Sequence, residues 1–424
     1  MNTSVGILRF KTVCLILYVI SLFTTLSGME LFSFLLLIPA ILEFKDSKVR
    51  FSKIPLLYPL LFFIGVMWVG TLLSNSPLKE KLYDMQRARF YGIYFILFFA
   101  LRGISENRIL KWMRVPLIFL IIYGVCQHFW GPIDLFRPEG KKILMYAIPE
   151  QKIGPLVVGV FNHHLTFSNV ILLYACLFFS EGFLQKKKWD LVLGLGAFVL
   201  CIWTESRAAW FAIPAVMGLM LFQKGKKWFF SGMAFLAIVF SLVYVSDSGF
   251  KERFDRTFIS QEVFYSLNWD NPRLRLWRAQ LAMFQEYPVF GVGWNNSERR
   301  SKEYIDKLFG EADSNFYGHA HSEVLQVLSS TGVLGLIAFV WIWVVVFKMC
   351  VQLWRRGKGN DSKVFYFGVF AALVGFHLQG LTQWNFGDAE VLHNIIFLWA
   401  VIAVAYYSMR HETSIETEPS SGYN

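Results

Sequence analysis

Composition excludes an ordinary soluble enzyme: of 424 residues, 55% are hydrophobic and 18% aromatic, and only 17% are charged, against roughly 25% in soluble domains. The formal charge of +11 would suggest nucleic acid in a soluble chain. In a membrane protein the question is which side that charge faces, and no nucleic-acid partner is expected.

A transmembrane helix needs about 20 mostly apolar residues, and twelve candidates follow one another near 11–27, 29–43, 55–73, 88–101, 112–130, 164–183, 189–204, 207–223, 228–246, 324–348, 363–383 and 389–408. The predicted fold class is all-α, a polytopic integral membrane protein of about 12 transmembrane helices. Arg9 and Lys11 before the first apolar core imitate a signal peptide, but a second apolar stretch follows after only SGME and no A-x-A-like site is present, so the segment is expected to be retained. The five cysteines (Cys14, Cys126, Cys176, Cys201, Cys350) fall in or at the edges of these helices without C-x-x-C spacing, which suggests neither a disulfide framework nor a zinc site.

Lys and Arg concentrate in cytoplasmic loops and set orientation. With the N-terminus inside, the even-numbered connections hold EFKDSKVRFSK, LRGISENRILKWMR, QKKKWD, QKGKKW and KMCVQLWRRGKGNDSK, all basic, whereas SGME and TQWNFGDAE on the other side carry no Lys or Arg. The third connection, SNSPLKEKLYDMQRAR, is basic yet assigned outside, an exception. From Lys188 to Lys224 there are 35 intervening residues, about 52 Å as a single helix, too long for a core of about 30 Å. Both flanks are basic, so two short helices must form a hairpin with TES at its outer tip, Glu205 within it and Arg207 opening the return helix. Interfacial anchoring to headgroups is the plain alternative for that arginine.

Two outer connections are long, residues 131–163 and the 76 residues 247–322. In the larger, Asn271 is expected to cap a helix with Pro272 in its first turn. Leu274, Trp277, Leu281 and Phe284 would share a face lying on the membrane surface. Tyr287-Pro288 ends it, GVGWNN turns the chain, and a second helix runs from Glu298 to Phe309, capped by Ser297 and stopped by Gly310. The expected organisation is 1–163, helices 1–5 with the first outer loop; 164–246, helices 6–9; 247–322, the large outer loop; 323–408, helices 10–12; and 409–424, a polar disordered tail.

His128, His163, His164, His319, His321, His377 and His393 all fall toward the outer side, and only His411 is plainly cytoplasmic. The best-marked stretch is GHAHSEVLQVLSSTGVLG, residues 318–335, where His321 closes the large loop as an apolar helix begins and Gly332 and Gly335 form a small-x-x-small pair expected to allow close helix contact. His319 and His321 imitate a His-x-His metal pair, but no convincing carboxylate or Cys spacing accompanies them. No metal is expected.

His321-Ser322, nine residues, then Gly332-x-x-Gly335 fits H-[NSQ]-x9-G-x-x-[GTY], and in this the chain resembles the O-antigen ligase and O-antigen polymerase superfamily. SRAAW at 206–210 resembles that family's Ser-Arg segment, RLRLWRAQLAMFQEYPVFGVG at 273–293 its R-x-x-x-W...P-x-x-G-x-G stretch, and NFGDAEV at 385–391 a motif near its last helix. The resemblance spans roughly residues 155–400, and the first 150 match only in helix count. It implies a GT-C-like membrane glycosyltransferase of the bacterial inner membrane with both termini cytoplasmic and a periplasmic active site. Such enzymes move a glycan from undecaprenyl pyrophosphate to an acceptor hydroxyl with inversion, without cofactor or required metal. The ligases use lipid A-core as acceptor, the favoured reading; polymerases use a second lipid-linked unit, and related enzymes use protein.

Under this resemblance Arg207 and Arg273 bind the pyrophosphate through planar bidentate guanidinium forks, with Arg275 and Arg278 competing for Arg273's place. His321 is the general base, its imidazole kept neutral by two adjacent cations. His319, His163 and His164 would bind substrate, although packing serves the last two equally. Asp388 and Glu390, at the start of the last helix, also suit a helix N-terminus. The rival from another class is a transporter or lipid flippase; the absence of an internal repeat and of midplane charges weighs against it.

Overall fold

The computed structural model describes residues 2–47, 49–130, 157–246, 251–252, 254–255, 271–310, 317–357 and 359–416. Among them every regular element is helical: α1 Asn2–Ser21, α2 Leu26–Leu35, α3 Leu37–Asp46, α4 Leu57–Leu73, α5 Leu78–Met85, α6 Arg89–Ala100, α7 Glu106–Trp130, α8 His164–Leu184, α9 Lys188–Trp203, α10 Arg207–Lys224, α11 Lys226–Ser246, α12 Pro272–Glu286, α13 Asn296–Phe309, α14 Glu323–Arg356, α15 Gly359–Gly380 and α16 Ala389–Glu416. Each of the twelve apolar stretches falls on helix. Among the described residues seven spans are long and apolar enough to cross a membrane: Leu26–Asp46, Glu106–Trp130, His164–Leu184, Lys226–Ser246, Glu323–Arg356, Gly359–Gly380 and Ala389–Arg410. The chain is a multi-pass, all-helical membrane protein. The expectations for 131–156, 256–270 and 417–424 fall outside the described residues.

Burial is uneven in the way a bilayer permits, since lipid covers apolar side chains as well as protein does. α8 is enclosed almost throughout, Phe167, Tyr174 and Phe178 being fully buried, whereas α11 has no buried residue. α8 and α9 touch closely because Gly182 and Gly194 carry no Cβ; an added one would stand 2.1 Å from Leu191 N and 2.3 Å from Phe179 N. Tyr18 and Tyr174 bring their hydroxyls to His393 and Asn394 of α16, tying the first helix and α8 to the last.

Ion pairs and hydrogen bonds gather the described connections into two groups at the ends of the bundle. At one end Lys11 and Arg102 meet Glu43 at 3.5 and 3.3 Å, Arg102 lies over Tyr407, Ser362 and Tyr366 donate to Glu106, and Lys187 reaches the buried Glu181 at 2.9 Å. Arg114 grips buried Asp190 with two bonds of 2.8 and 2.9 Å. These are the basic connections that the sequence assigns inside. At the other end lie the turn before α2, residues 74–88, 157–163, the 204–206 tip and the segments around α12 and α13. There Gln127, buried near the end of α7, donates to Gly159 O and accepts from the amides of Val158 and Gly159, which fixes the approach to α8. The five cysteines are free thiols.

Candidate active site

α12 begins as the sequence predicts, with Asn271 Oδ1 accepting from Arg273 N at 2.9 Å and Pro272 in the first turn. Its buried face differs from the expected one. Leu276, Ala279 and Met283 pack with Val292, Tyr304 and Ile305, and Leu281 is exposed. A hydrophobic stripe facing lipid and one facing a neighbouring helix have the same period, and the neighbour α13 decided the face. α13 starts at Asn296, and Ser297 is not its cap: the Ser297 hydroxyl bonds with Ser330 and accepts from Gln326 Nε2, both at 2.7 Å. Gly310, at φ 84, does end it.

α14 is broken at Gly332, whose φ of 65 and ψ of −167 are not helical. The break frees the carbonyls of Ser329 and Ser330 and the amides of Val333 and Leu334, and the 288–293 segment answers all four. Val292 N and Gly293 N donate to Ser329 O and Ser330 O at 2.9 and 3.1 Å, while Val333 N and Leu334 N donate to Pro288 O and Val289 O at 2.9 and 3.3 Å. Leaving one such group unpaired costs about 1–3 kcal/mol. Backbone approaches backbone here, so an added Cβ would stand 2.3 Å from Val289 O at Gly332 and 2.4 Å from the Ser330 carbonyl carbon at Gly291, itself at φ 66. The P-x-x-G-x-G and G-x-x-G stretches are two halves of one joint. Close contact at Gly332 is with a loop, not with the second helix that the small-x-x-small spacing suggested.

That joint positions the histidines. The turn before α14 holds His321 at φ 47. Ala320 N donates to Gln326 Oε1 at 2.6 Å, and Ala320 O accepts from Trp277 Nε1 of α12 at 2.9 Å. His319 and His321 rings meet with centroids 4.1 Å apart, edge to face. Both line a cavity of ≈ 520 Å³ together with His163, Arg87, Thr166, Asn295, Glu298, Gln383, Trp384, Asp388 and Glu390.

Burial dominates the electrostatics. The His321 imidazole is driven down to about 3, first by burial and then by His319, Arg273 and His163; His319 falls to about 4 for the same leading reason. Burial leads, then, where the sequence analysis expected two adjacent cations to do so; Arg273 contributes, and its own guanidinium is lowered by burial. His163, whose Nδ1 accepts from Leu165 N at 3.1 Å as the cap of α8, is lowered by burial against the pull of Asp388. Asp388 takes a hydrogen bond of 2.5 Å from Thr166, yet burial raises it. Glu298 is likewise raised by burial, with Arg87 opposing.

The other expected site residues stand at the margins. Arg207 is exposed at the start of α10, outside the cavity lining. Its neighbour Ser206 accepts from Gln383 Nε2 at 2.7 Å, so the hairpin tip is bonded directly to the cavity wall. His164 is buried, its Nδ1 2.6 Å from Thr204 O, and joins α8 to that same tip. Arg275 and Arg278 lie over the Phe309 ring at 5.4 and 5.8 Å. At 100° per residue Arg275 is turned about 200° from Arg273 on α12.

Arg87, Thr166, Glu298, Gln383 and Trp384 were not anticipated. The signal for Arg87 was present in the basic third connection that broke the orientation rule. Part of that connection is bound to α13, fully buried Asp84 receiving two bonds of 2.7 Å from Arg299, and Arg87 faces the cavity. Among the described residues no three His, Cys, Asp or Glu side chains are placed to hold a metal ion.

The chain is 25% identical over 372 residues to the ComP-specific O-oligosaccharyltransferase of Acinetobacter baylyi, covering 87% of this chain and 65% of that protein. It is 22% identical over 302 residues to an uncharacterized protein of Haemophilus influenzae, covering 63% and 73% of the two chains. The sequence model described as O-Antigen ligase matches residues 192–340, a stretch that includes the hairpin tip, α12, α13 and His321. Residues 192–340, which include the joint between the P-x-x-G-x-G and G-x-x-G stretches and the histidine turn, match an O-Antigen ligase family domain.

Proposed function

We propose that the protein transfers a glycan from an undecaprenyl-pyrophosphate carrier to an acceptor hydroxyl at the periplasmic face, and that about twelve helices cross the inner membrane with both termini cytoplasmic. The twelve apolar stretches and the basic even-numbered connections support that reading. The observation that carries the reaction is the convergence of His321, His319, His163 and Arg87 on one cavity, with the charge of Arg273 acting on His321.

In the reaction the acceptor oxygen attacks the anomeric carbon from the face opposite the leaving group. The carbon–oxygen bond to pyrophosphate breaks with its electron pair, and the acceptor proton passes to the His321 imidazole. Negative charge grows on the departing phosphate oxygens, where fixed guanidinium donors lower the barrier. Arg87 serves from the wall, Arg273, which is not among the lining residues, acts through its charge beside the histidines, and Arg207 reaches in from the hairpin tip. With burial driving it down to about 3, His321 is neutral but a weak base. A bound pyrophosphate, bringing several negative charges, raises its proton affinity, so that the base is strengthened only when the donor is present.

Lipid A-core is the favoured acceptor. A protein hydroxyl is the second reading, favoured by the match to an O-oligosaccharyltransferase over 87% of this chain. The test is the reconstituted protein supplied with a lipid-linked glycan and, separately, lipid A-core, a second lipid-linked unit or an acceptor protein. Glycosylated lipid A-core is the expected product. Product on another acceptor reassigns the acceptor, and carrier translocation without transfer to any of them would overturn the transferase reading in favour of a flippase.

A further inference from the structure

A second cavity, of ≈ 620 Å³, lies against a different face of α13. Glu298 of α13 faces the histidine cavity, while Asn296, Arg299, Arg300 and Glu303 face this one, so the helix is a partition between the two. The opposite wall is the 74–80 connection, with Asn75 and Glu80.

Its charge is matched pair by pair. Arg299 is held by Asp84 at 2.7 Å and Glu80 at 3.2 Å, and Arg300 by Glu303 at 3.0 Å. With each guanidinium already facing carboxylate, no excess positive field remains for a phosphate. What the wall offers is a mixture of acceptors (spare carboxylate lone pairs, the Asn75 carbonyl) and donors (guanidinium and amide N–H) at partly exposed groups. Hydroxyl groups donate and accept at once and satisfy such a wall without disturbing its charge balance. The lip is apolar: Leu73, at the end of α4, is 67% exposed and Val289 is 48% exposed. Below it the paired helices α4 and α14 present exposed Leu72, Val333, Ile337 and Val340, the surface that acyl or prenyl chains cover.

We propose that this cavity binds uncharged sugar residues of a lipid-anchored glycan, apart from the cavity that holds the pyrophosphate. A molecule with its tail along α4 and α14 has its first sugars at the lip, and one helix thickness, about 10 Å, separates them from the histidines. The proposal deepens the transferase reading, and the glycan is that of either the acceptor or the donor.

The test uses full-length protein in nanodiscs and two substitutions at solvent-facing positions, Asn75→Trp, which fills the space, and Glu303→Ala, which removes an acceptor and unmatches Arg300. Transfer is followed while undecaprenyl-pyrophosphate glycan and lipid A-core are varied in turn. KM for one substrate is expected to rise about tenfold, the loss of one or two hydrogen bonds, with kcat within about twofold. A rise for lipid A-core assigns the cavity to the acceptor, a rise for the donor assigns it to the donor glycan, and unchanged KM for both substrates in both variants overturns the proposal. If the wild-type protein transfers nothing, the transferase reading fails by itself. Calorimetry with the free oligosaccharide released from each lipid then decides the sugar site: weaker binding by both variants than by wild type sustains it, and equal or absent binding overturns it.

Discussion

His321 joins two properties that rarely coincide, a backbone in the left-handed region at φ 47 and an imidazole driven to about 3 by burial. The conformation aims a ring that begins a membrane helix back into the cavity, and the low affinity for protons keeps it an acceptor at neutral pH. As the proposed base, His321 has to be neutral, so activity is expected above its pKa and is expected to be lost as pH falls through it. Because kcat/KM reports the free enzyme and kcat the substrate complex, the acid limb of kcat is expected at clearly higher pH than any limb in kcat/KM. Coincident limbs would show that the pyrophosphate does not act on the base. Arg207 gives the second test at this scale. Arg207→Lys retains the charge and removes the planar fork, and a loss of about 10²-fold in kcat is expected for a donor aimed at the leaving group; an unchanged rate would leave Arg207 a headgroup anchor. That His163, His319 and His321 line one cavity was legible because the residue type and its place in the motif mark them out. Arg87 was not, because nothing local distinguishes it from the other basic residues of its connection, and only the packing of α5 against α13 turns it inward.

At the scale of elements, the joint between α14 and the 288–293 segment shows where sequence patterns end. The caps at Asn271 and Gly310 were readable because they are satisfied within a few residues. Ser297 has the composition of a cap, but its hydroxyl is claimed by Ser330 and Gln326 from a distant segment. Likewise a glycine pair three apart reads as a helix-packing motif, yet Gly332 is where the helix opens to admit another backbone. Gly332→Ala and Gly291→Ala each place a Cβ against main chain and force a residue other than glycine to positive φ, a strain of order 1–3 kcal/mol before any overlap. Both variants are expected to lower the melting temperature in detergent and to lose transfer together. A variant of full activity and unchanged melting temperature would show that the joint yields. The same logic applies at the far end, where Arg114→Ala leaves Asp190, 2% exposed, buried without its bidentate partner. A destabilisation of about 3–5 kcal/mol is expected, and restoration by the additional Asp190→Asn would identify the stranded charge as its cause.

For the whole molecule, the all-helical, multi-pass character was evident from composition, because a bilayer imposes length and polarity on each segment independently. Which helices enclose which was not: α8 is buried within protein and α11 lies open, although both are apolar throughout. The proposed orientation rests on the basic connections and is testable by labelling, since Cys14, Cys176, Cys201 and Cys350 are buried and leave only Cys126 half-exposed as background. Asn75→Cys is expected to react with an impermeant maleimide in cells with a permeable outer membrane, and Lys188→Cys only after lysis. The reverse pattern would invert the molecule. The central claim, that the histidine cavity is where the glycan changes hands, is tested most directly by single-turnover transfer from a lipid-linked donor with wild-type and His321→Ala protein at equal donor occupancy. The account predicts a loss of about 10²–10⁴-fold in the substituted protein, with donor binding retained. Transfer at the wild-type rate would contradict it.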